Sequence, residues 1–244
     1  MIRFAILSMP RTGSMMLARQ LGTHPDVTCY LALFSRNEFL VDDHDDTAAL
    51  RARLGDRWQD WDSRHTDPHA FLSAMTGATP QTKAVGLKQH LSGPESATEA
   101  MIGGWADRLI FLTRPNHLAT YSSAKLANEA GWEQREPGQP QAVDTIRFDA
   151  DDFAKHVRNR ERLDAKWRGR IMDAGALEIS YVQARRREPI EDIWRFLGVD
   201  PALGGEPDIL KKNPDDLLAR FDNPEEVTAW LRANDRIEWA EPEL

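Results

Sequence analysis

The chain has 244 residues, 41% of them hydrophobic, and a formal net charge of −8. That length and composition suit one large α/β domain spanning 1–244 and exclude wholesale disorder, while the acidic balance argues against a nucleic-acid surface as the main partner. Cys29 is the only cysteine, which excludes an intramolecular disulfide and a cysteine metal cluster.

In chain order, "RFAIL" reads as a buried strand, broken at Pro10, and "GSMMLARQLG" as the helix after it, with Gly22 as its stop. "DVTCYLALF" is a second β-like run. Residues 40–80 are acidic and irregular and read as a helical insertion with loops, where Trp58 and Trp61 fall at i, i+3 on one inward stripe. The acidic run from Asp42 to Asp46 lacks the spacing and turn glycine of a hard-metal site and reads as a solvated loop; no metal is expected. A short strand over Ala84–Leu87 precedes the polar residues Lys88 to His90. "DRLIFLTRP" is the clearest strand, ended by Arg114 and Pro115, and "NHLATYSSAKLANEAG" follows as a helix.

After a Gly/Pro-rich loop around 131–150 comes a long amphipathic helix with Phe153, Val157 and Trp167 on its apolar side. The strand "ALEISYV" is followed by a helix with Ile190, Ile193, Trp194 and Leu197 on one stripe. The last helix opens with Asn223 as N-cap and Pro224 at its first position. Strands alternating with helices imply a mostly parallel sheet covered on both faces, with ligands beyond the carboxyl ends of the strands. No stretch approaches a membrane span and the N-terminal apolar run is too short for a signal peptide. The expectation is a soluble, cytoplasmic protein of unknown oligomeric state.

Four segments end strands with polar residues: Pro10 to Ser14, Lys88 to His90, Arg114 onward, and the stretch after Ser180. In a parallel sheet they share one edge. In "SMPRTGSMM", Gly13 allows backbone amides to approach an anion, Thr12, Ser14 and the helix N-terminus add donors, and Arg11 supplies a full charge. The turn lacks the Gly-Lys-Ser/Thr of a nucleoside triphosphatase loop, and "LIFLTRP" lacks the aspartate that would accompany it, which disfavours kinase or ATPase chemistry.

"PRTGSMML" resembles the 5′-phosphosulfate loop of sulfotransferases that use 3′-phosphoadenosine 5′-phosphosulfate (PAPS). "LIFLTRPNHLATYSSAK" is similar to the second motif of that family, an arginine at a strand end and a serine eight positions later: Arg114 and Ser122. The resemblance implies a P-loop-like α/β sulfotransferase fold, PAPS as co-substrate, and Arg114 with Ser122 as the grip on its 3′-phosphate. "LEISYVQARRREPIEDIWRFLGV" is similar to the family's strand, tyrosine and helix, and the C-terminal segment resembles bacterial carbohydrate sulfotransferases, where Lys211 and Lys212 would clamp the nucleotide. The implied acceptor is a hydroxyl on a small molecule, carbohydrate or glycolipid, selected by residues 40–80 and 131–150, which the resemblance does not cover.

Carbohydrate sulfotransferases often carry a glutamate where this chain has Ala32. Two groups can replace it as the base. His90 lies in "LKQHL", similar to the Lys-x-His of cytosolic sulfotransferases, with Lys88 to steady the sulfuryl group; on a strand the two share a face, and an ordinary imidazole suits base catalysis at neutral pH. Glu38 is the alternative. Two rival functions stand beside this reading: a nucleotide kinase-like phosphotransferase, and a non-catalytic nucleotide-binding relative.

Overall fold

The computed structural model describes residues 1–35, 45–80, 82–129, 145–206 and 216–243. The elements in order are β1 (Ile2–Ser8), α1 (Ser14–Gly22), β2 (Val27–Tyr30), α2 (Asp45–Leu54), α3 (Trp61–Thr66), α4 (Pro68–Ala78), β3 (Ala84–His90), α5 (Glu95–Ala100), β4 (Arg108–Thr113), α6 (His117–Glu129), α7 (Ala150–Asp173), β5 (Leu177–Ser180), α8 (Arg187–Phe196) and α9 (Pro224–Ala233). Two compact units emerge: residues 1–113 with 163–208, and 114–162 with 209–244.

The first unit is an α/β layer structure. Its five strands form one sheet in the order β2-β3-β1-β4-β5, and every pairing is parallel. β1 takes the centre because its apolar run can be covered on both faces. Alternation along the strands splits the core in two. Phe4, Ile6, Ala84, Ile110, Leu112 and Ile179 pack against Leu17 and Leu21 of α1 and Ile190, Ile193 and Trp194 of α8. Ala5, Leu7, Val85, Leu87 and Phe111 pack on the opposite face against Phe71, Leu72 and Met75 of α4 and Trp167 and Ile171 of α7. Ion pairs from Lys166 to Glu95 and from Arg170 to Glu99 run from α7 to α5.

Two sequence expectations change here. β3 does not stop at Leu87: pairing with β1 continues to Ser8 opposite His90, so Lys88, Gln89 and His90 are strand residues. Trp58 and Trp61 do not share a helical stripe. Trp58 ends a 3₁₀ turn and packs on Phe71 at 5.5 Å between centroids, whereas Trp61 opens α3 and lies against His65. Between them Asp60 caps α3 by accepting from Ser63 N at 2.7 Å. Arg64, fully buried, donates to the carbonyls of Trp58 and Gln59 at 2.8 and 3.0 Å, which satisfies the end of that turn.

The second unit gathers α6, residues 150–162 of α7, and α9 around Tyr121, Phe148, Phe153, Phe221, Leu231 and Trp239. Asn223 precedes α9 as expected, but its side chain does not cap the helix. It accepts from Phe148 N at 2.8 Å and donates to Phe148 O at 3.1 Å, beside a backbone bridge between Ile146 and Phe221. The amide satisfies a neighbouring chain rather than its own helix.

Close packing in the sheet yields a stability test. A Cβ on Gly86 would meet the Phe4 carbonyl oxygen and lie 2.5 Å from Phe4 Cγ, on the neighbouring central strand. Gly86→Ala should cost about 1–3 kcal/mol or more, the usual penalty of overpacking, measured by urea unfolding against wild type.

Candidate active site

The site begins with the turn that follows β1. Because the sheet is parallel, β1, β3, β4 and β5 deliver their carboxyl ends to one edge; Ser8 pairs with His90 and with Leu112, and Thr113 with Ser180. The connection from β1 leads toward β2 and that from β4 toward β5, on opposite sides, so the turn after β1 sits where the strand order reverses. In this turn Arg11 has φ +63° and Gly13 φ +86°. A left-handed arginine is held there at a cost and is a mark of a site the fold over-determines. Gly13 is required twice over, since a Cβ would also lie 2.7 Å from the Tyr181 ring. Gly13 at the start of α1 has no side chain to cap it, and among the described residues the N-terminal amides of the helix follow directly.

Ser14 Oγ lies 3.3 Å from His90 Nε2. Gly86 faces Phe4 in the cluster under α1, so the period of two puts Lys88 and His90 on that same face. Lys88 is 2% exposed. Burial first, then the charges of Lys88 and Arg11, push the His90 imidazole down to about 3. This corrects the expectation of an ordinary histidine: the ring is neutral at pH 7 and can accept a proton, but burial, reinforced by two cations, makes it a weak base. Bound anionic groups would offset those cations and raise its basicity. Thr12 contributes less than expected from its side chain, because its buried hydroxyl donates to Met9 O at 2.7 Å.

In the second unit, Arg114 follows β4 and its side chain is 7% exposed. Its Nε donates to Glu243 Oε1 and Oε2 at 2.9 and 3.0 Å, and its Nη2 to Oε2 at 2.5 Å. Ser122, fully buried on α6, donates to Ala119 O at 3.2 Å and accepts from Arg220 Nη1 at 3.0 Å. To grip an anion, the hydroxyl must turn its proton away from Ala119. Asn116 caps α6 by accepting from Ala119 N at 2.9 Å. Nearby, Thr120 Oγ1 donates to His117 O at 3.0 Å and lies 3.0 Å from His156 Nε2.

Arg220 and Glu243 are the residues that sequence reading missed in these places; Tyr181 it noted only as the tyrosine after the strand, not as a ring against Gly13. Tyr181 had one signal, its position directly after β5. Ala32 is buried and leaves no carboxylate at its position. Glu38, Lys211 and Lys212 lie outside the described residues. In the "HPDV" stretch, His24 is structural: Nδ1 accepts from Asp26 N at 3.0 Å and Nε2 donates to Asp200 O at 2.8 Å.

The His90 environment predicts a pH dependence. Below about 6.5 the unfolded chain protonates this histidine while the native one stays neutral until about pH 3. The unfolded state then binds more protons, so stability rises with pH across that window and erodes as pH falls through it. His156, pushed down to about 4 mainly by burial, adds to the same slope. His90→Gln should flatten the slope of unfolding free energy by up to about 1.4 kcal/mol per pH unit between pH 6 and 4, measured by denaturant titrations at each pH. An unchanged slope would contradict the assigned burial.

No family model matches the chain, and no curated protein matches it in sequence. Among solved structures, it is similar to a sulfotransferase from Alicyclobacillus acidocaldarius, with a TM-score of 0.50 and 19% identity over 98% of this chain and 94% of that one. At that identity the likeness shows the fold: one parallel sheet flanked by helices, in the arrangement of a sulfotransferase.

Proposed function

We propose that the protein is a PAPS-dependent sulfotransferase. The observation that carries the reading is the edge of the sheet in the first unit, where a turn with left-handed Arg11 and Gly13, the N-terminus of α1 and the Lys88, Ser14 and His90 side chains converge. Backbone amides at a helix N-terminus with an adjacent arginine favour a phosphate or phosphosulfate. Gly13 lets the Tyr181 ring pack against the turn without a clash, which holds its backbone in the left-handed conformation.

In this reading Arg11, Gly13 and Ser14 hold the 5′-phosphosulfate, and Arg114 and Ser122 take the 3′-phosphate. The acceptor oxygen bonds to sulfur as the sulfur–oxygen bond to the 5′-phosphate breaks, leaving adenosine 3′,5′-bisphosphate. His90 takes the acceptor proton, and Lys88 and Arg11 offset charge on the sulfuryl oxygens and the leaving phosphate. The acceptor is a hydroxyl, on a carbohydrate or glycolipid by the resemblance of the C-terminal segment. A second reading, a nucleotide-binding protein without turnover, is favoured by one feature: the weak basicity of His90, buried beside Lys88 and Arg11.

Thermal-shift titrations with adenosine 3′,5′-bisphosphate, ADP and ATP test the donor assignment. The bisphosphate should stabilise most, and Arg114→Ala should erase its advantage while leaving the ADP response unchanged. Equal responses to all three would reject PAPS as donor. For the chemistry, His90→Ala should lower turnover by about 10²–10⁴-fold, followed by PAPS hydrolysis where no acceptor is in hand, with little change in bisphosphate affinity. Bisphosphate binding without wild-type turnover on any hydroxyl acceptor would favour the second reading.

A further inference from the structure

We infer that Glu243 is an internal competitor for the nucleotide phosphate at Arg114: its carboxylate occupies the arginine in the resting chain and is displaced when the donor binds. The inference rests on the assignment of Arg114 to the 3′-phosphate.

The geometry is that of an anion site with an occupant. Both oxygens of Glu243 are engaged by Nε, and Oε2 also by Nη2, the fork an arginine offers to a carboxylate or a phosphate alike. The Arg114 and Glu243 side chains are only 7% and 12% exposed, so the pair is largely desolvated. Removing the carboxylate without replacement would strand a buried cation, which is strongly unfavourable. Replacing it with a second anion is not. The arrangement therefore favours exchange over simple opening, and it keeps Arg114 in place while no ligand is bound.

The two partners are held differently. Arg114 is fixed by the end of β4 before it and by the Asn116 cap of α6 after it. Glu243 sits in irregular backbone beyond the 3₁₀ turn Ile237–Ala240, which is pinned at Trp239 O by a 3.0 Å hydrogen bond from Asn116 Nδ2. On exchange the glutamate is thus the side that moves, over a few residues past a fixed point. Its tether gives it a high effective concentration at the arginine. A dianionic phosphate can compete with a tethered carboxylate, whereas a ligand with only a 3′-hydroxyl cannot. The same competition opposes retention of adenosine 3′,5′-bisphosphate and so assists release of the product.

Calorimetric titration of wild type and Glu243→Gln with adenosine 3′,5′-bisphosphate and adenosine 5′-monophosphate tests this. Wild type should prefer the bisphosphate. Glu243→Gln should tighten the bisphosphate by about tenfold, the weight of a charge-assisted hydrogen bond, and leave the monophosphate within about twofold. A wild-type preference with no tightening, or a weakening, in the variant overturns the inference and leaves the Arg114 assignment standing. No wild-type preference overturns that assignment and the inference with it. Should Glu243→Gln fail to fold, a crystal structure of wild type with the bisphosphate decides: phosphate on Arg114 with Glu243 displaced supports exchange, and Glu243 still on Arg114 overturns it.

Discussion

Everything at the candidate site of the first unit depends on β1 being hydrogen-bonded on both edges. Pairing with β3 runs from Ile2 to Ser8, and pairing with β4 from Phe4 to Ser8. A strand held this way cannot shift its register without turning its apolar faces over. The backbone that leaves Ser8 therefore starts from a fixed point, and the left-handed conformations at Arg11 and Gly13 are imposed on it rather than sampled. Strain tolerated at Arg11, with a glycine two positions on, is the fold's contribution to preorganising the amides of this turn at one place.

Electrostatics at that place is organised around keeping positive charge without proton uptake. Lys88 is 2% exposed on a central strand, and Arg11 stands in the next turn. Their fields, added to burial, hold His90 neutral well below its ordinary range. Neutral imidazole beside two cations is a poor base in isolation and a better one once anionic groups screen them. Under the proposed function, an anion bound beside these cations would raise the basicity of His90, which links the two.

The sheet was legible in the sequence because its strands are short apolar runs, each ended by turn chemistry: "RFAIL" before Pro10 and "LIFLT" before Arg114. The extent of β3 was not, since Lys88 to His90 are polar and only their pairing with β1 makes them strand. Gly13 could be read as permissive from its neighbours, yet the Tyr181 ring that also demands it lies across the fold from it in sequence. The link between Arg114 and Glu243 had no local signal for the same reason; a residue and its distant counter-ion leave no periodicity. Asn223 shows the reverse case, where a strong local pattern placed the helix start correctly and the side chain was taken by Phe148.

The pair of Thr120 and His156 has one more implication. A threonine hydroxyl 3.0 Å from an imidazole nitrogen has the outline of an activated nucleophile. A hydroxyl carries a single proton, however, and this one is already directed at the His117 carbonyl. With the hydroxyl proton directed at that carbonyl, the imidazole donates from Nε2 and the hydroxyl oxygen accepts. In that arrangement proton counting turns an apparent base into a clamp, with His156 holding Thr120 in the first turn of α6.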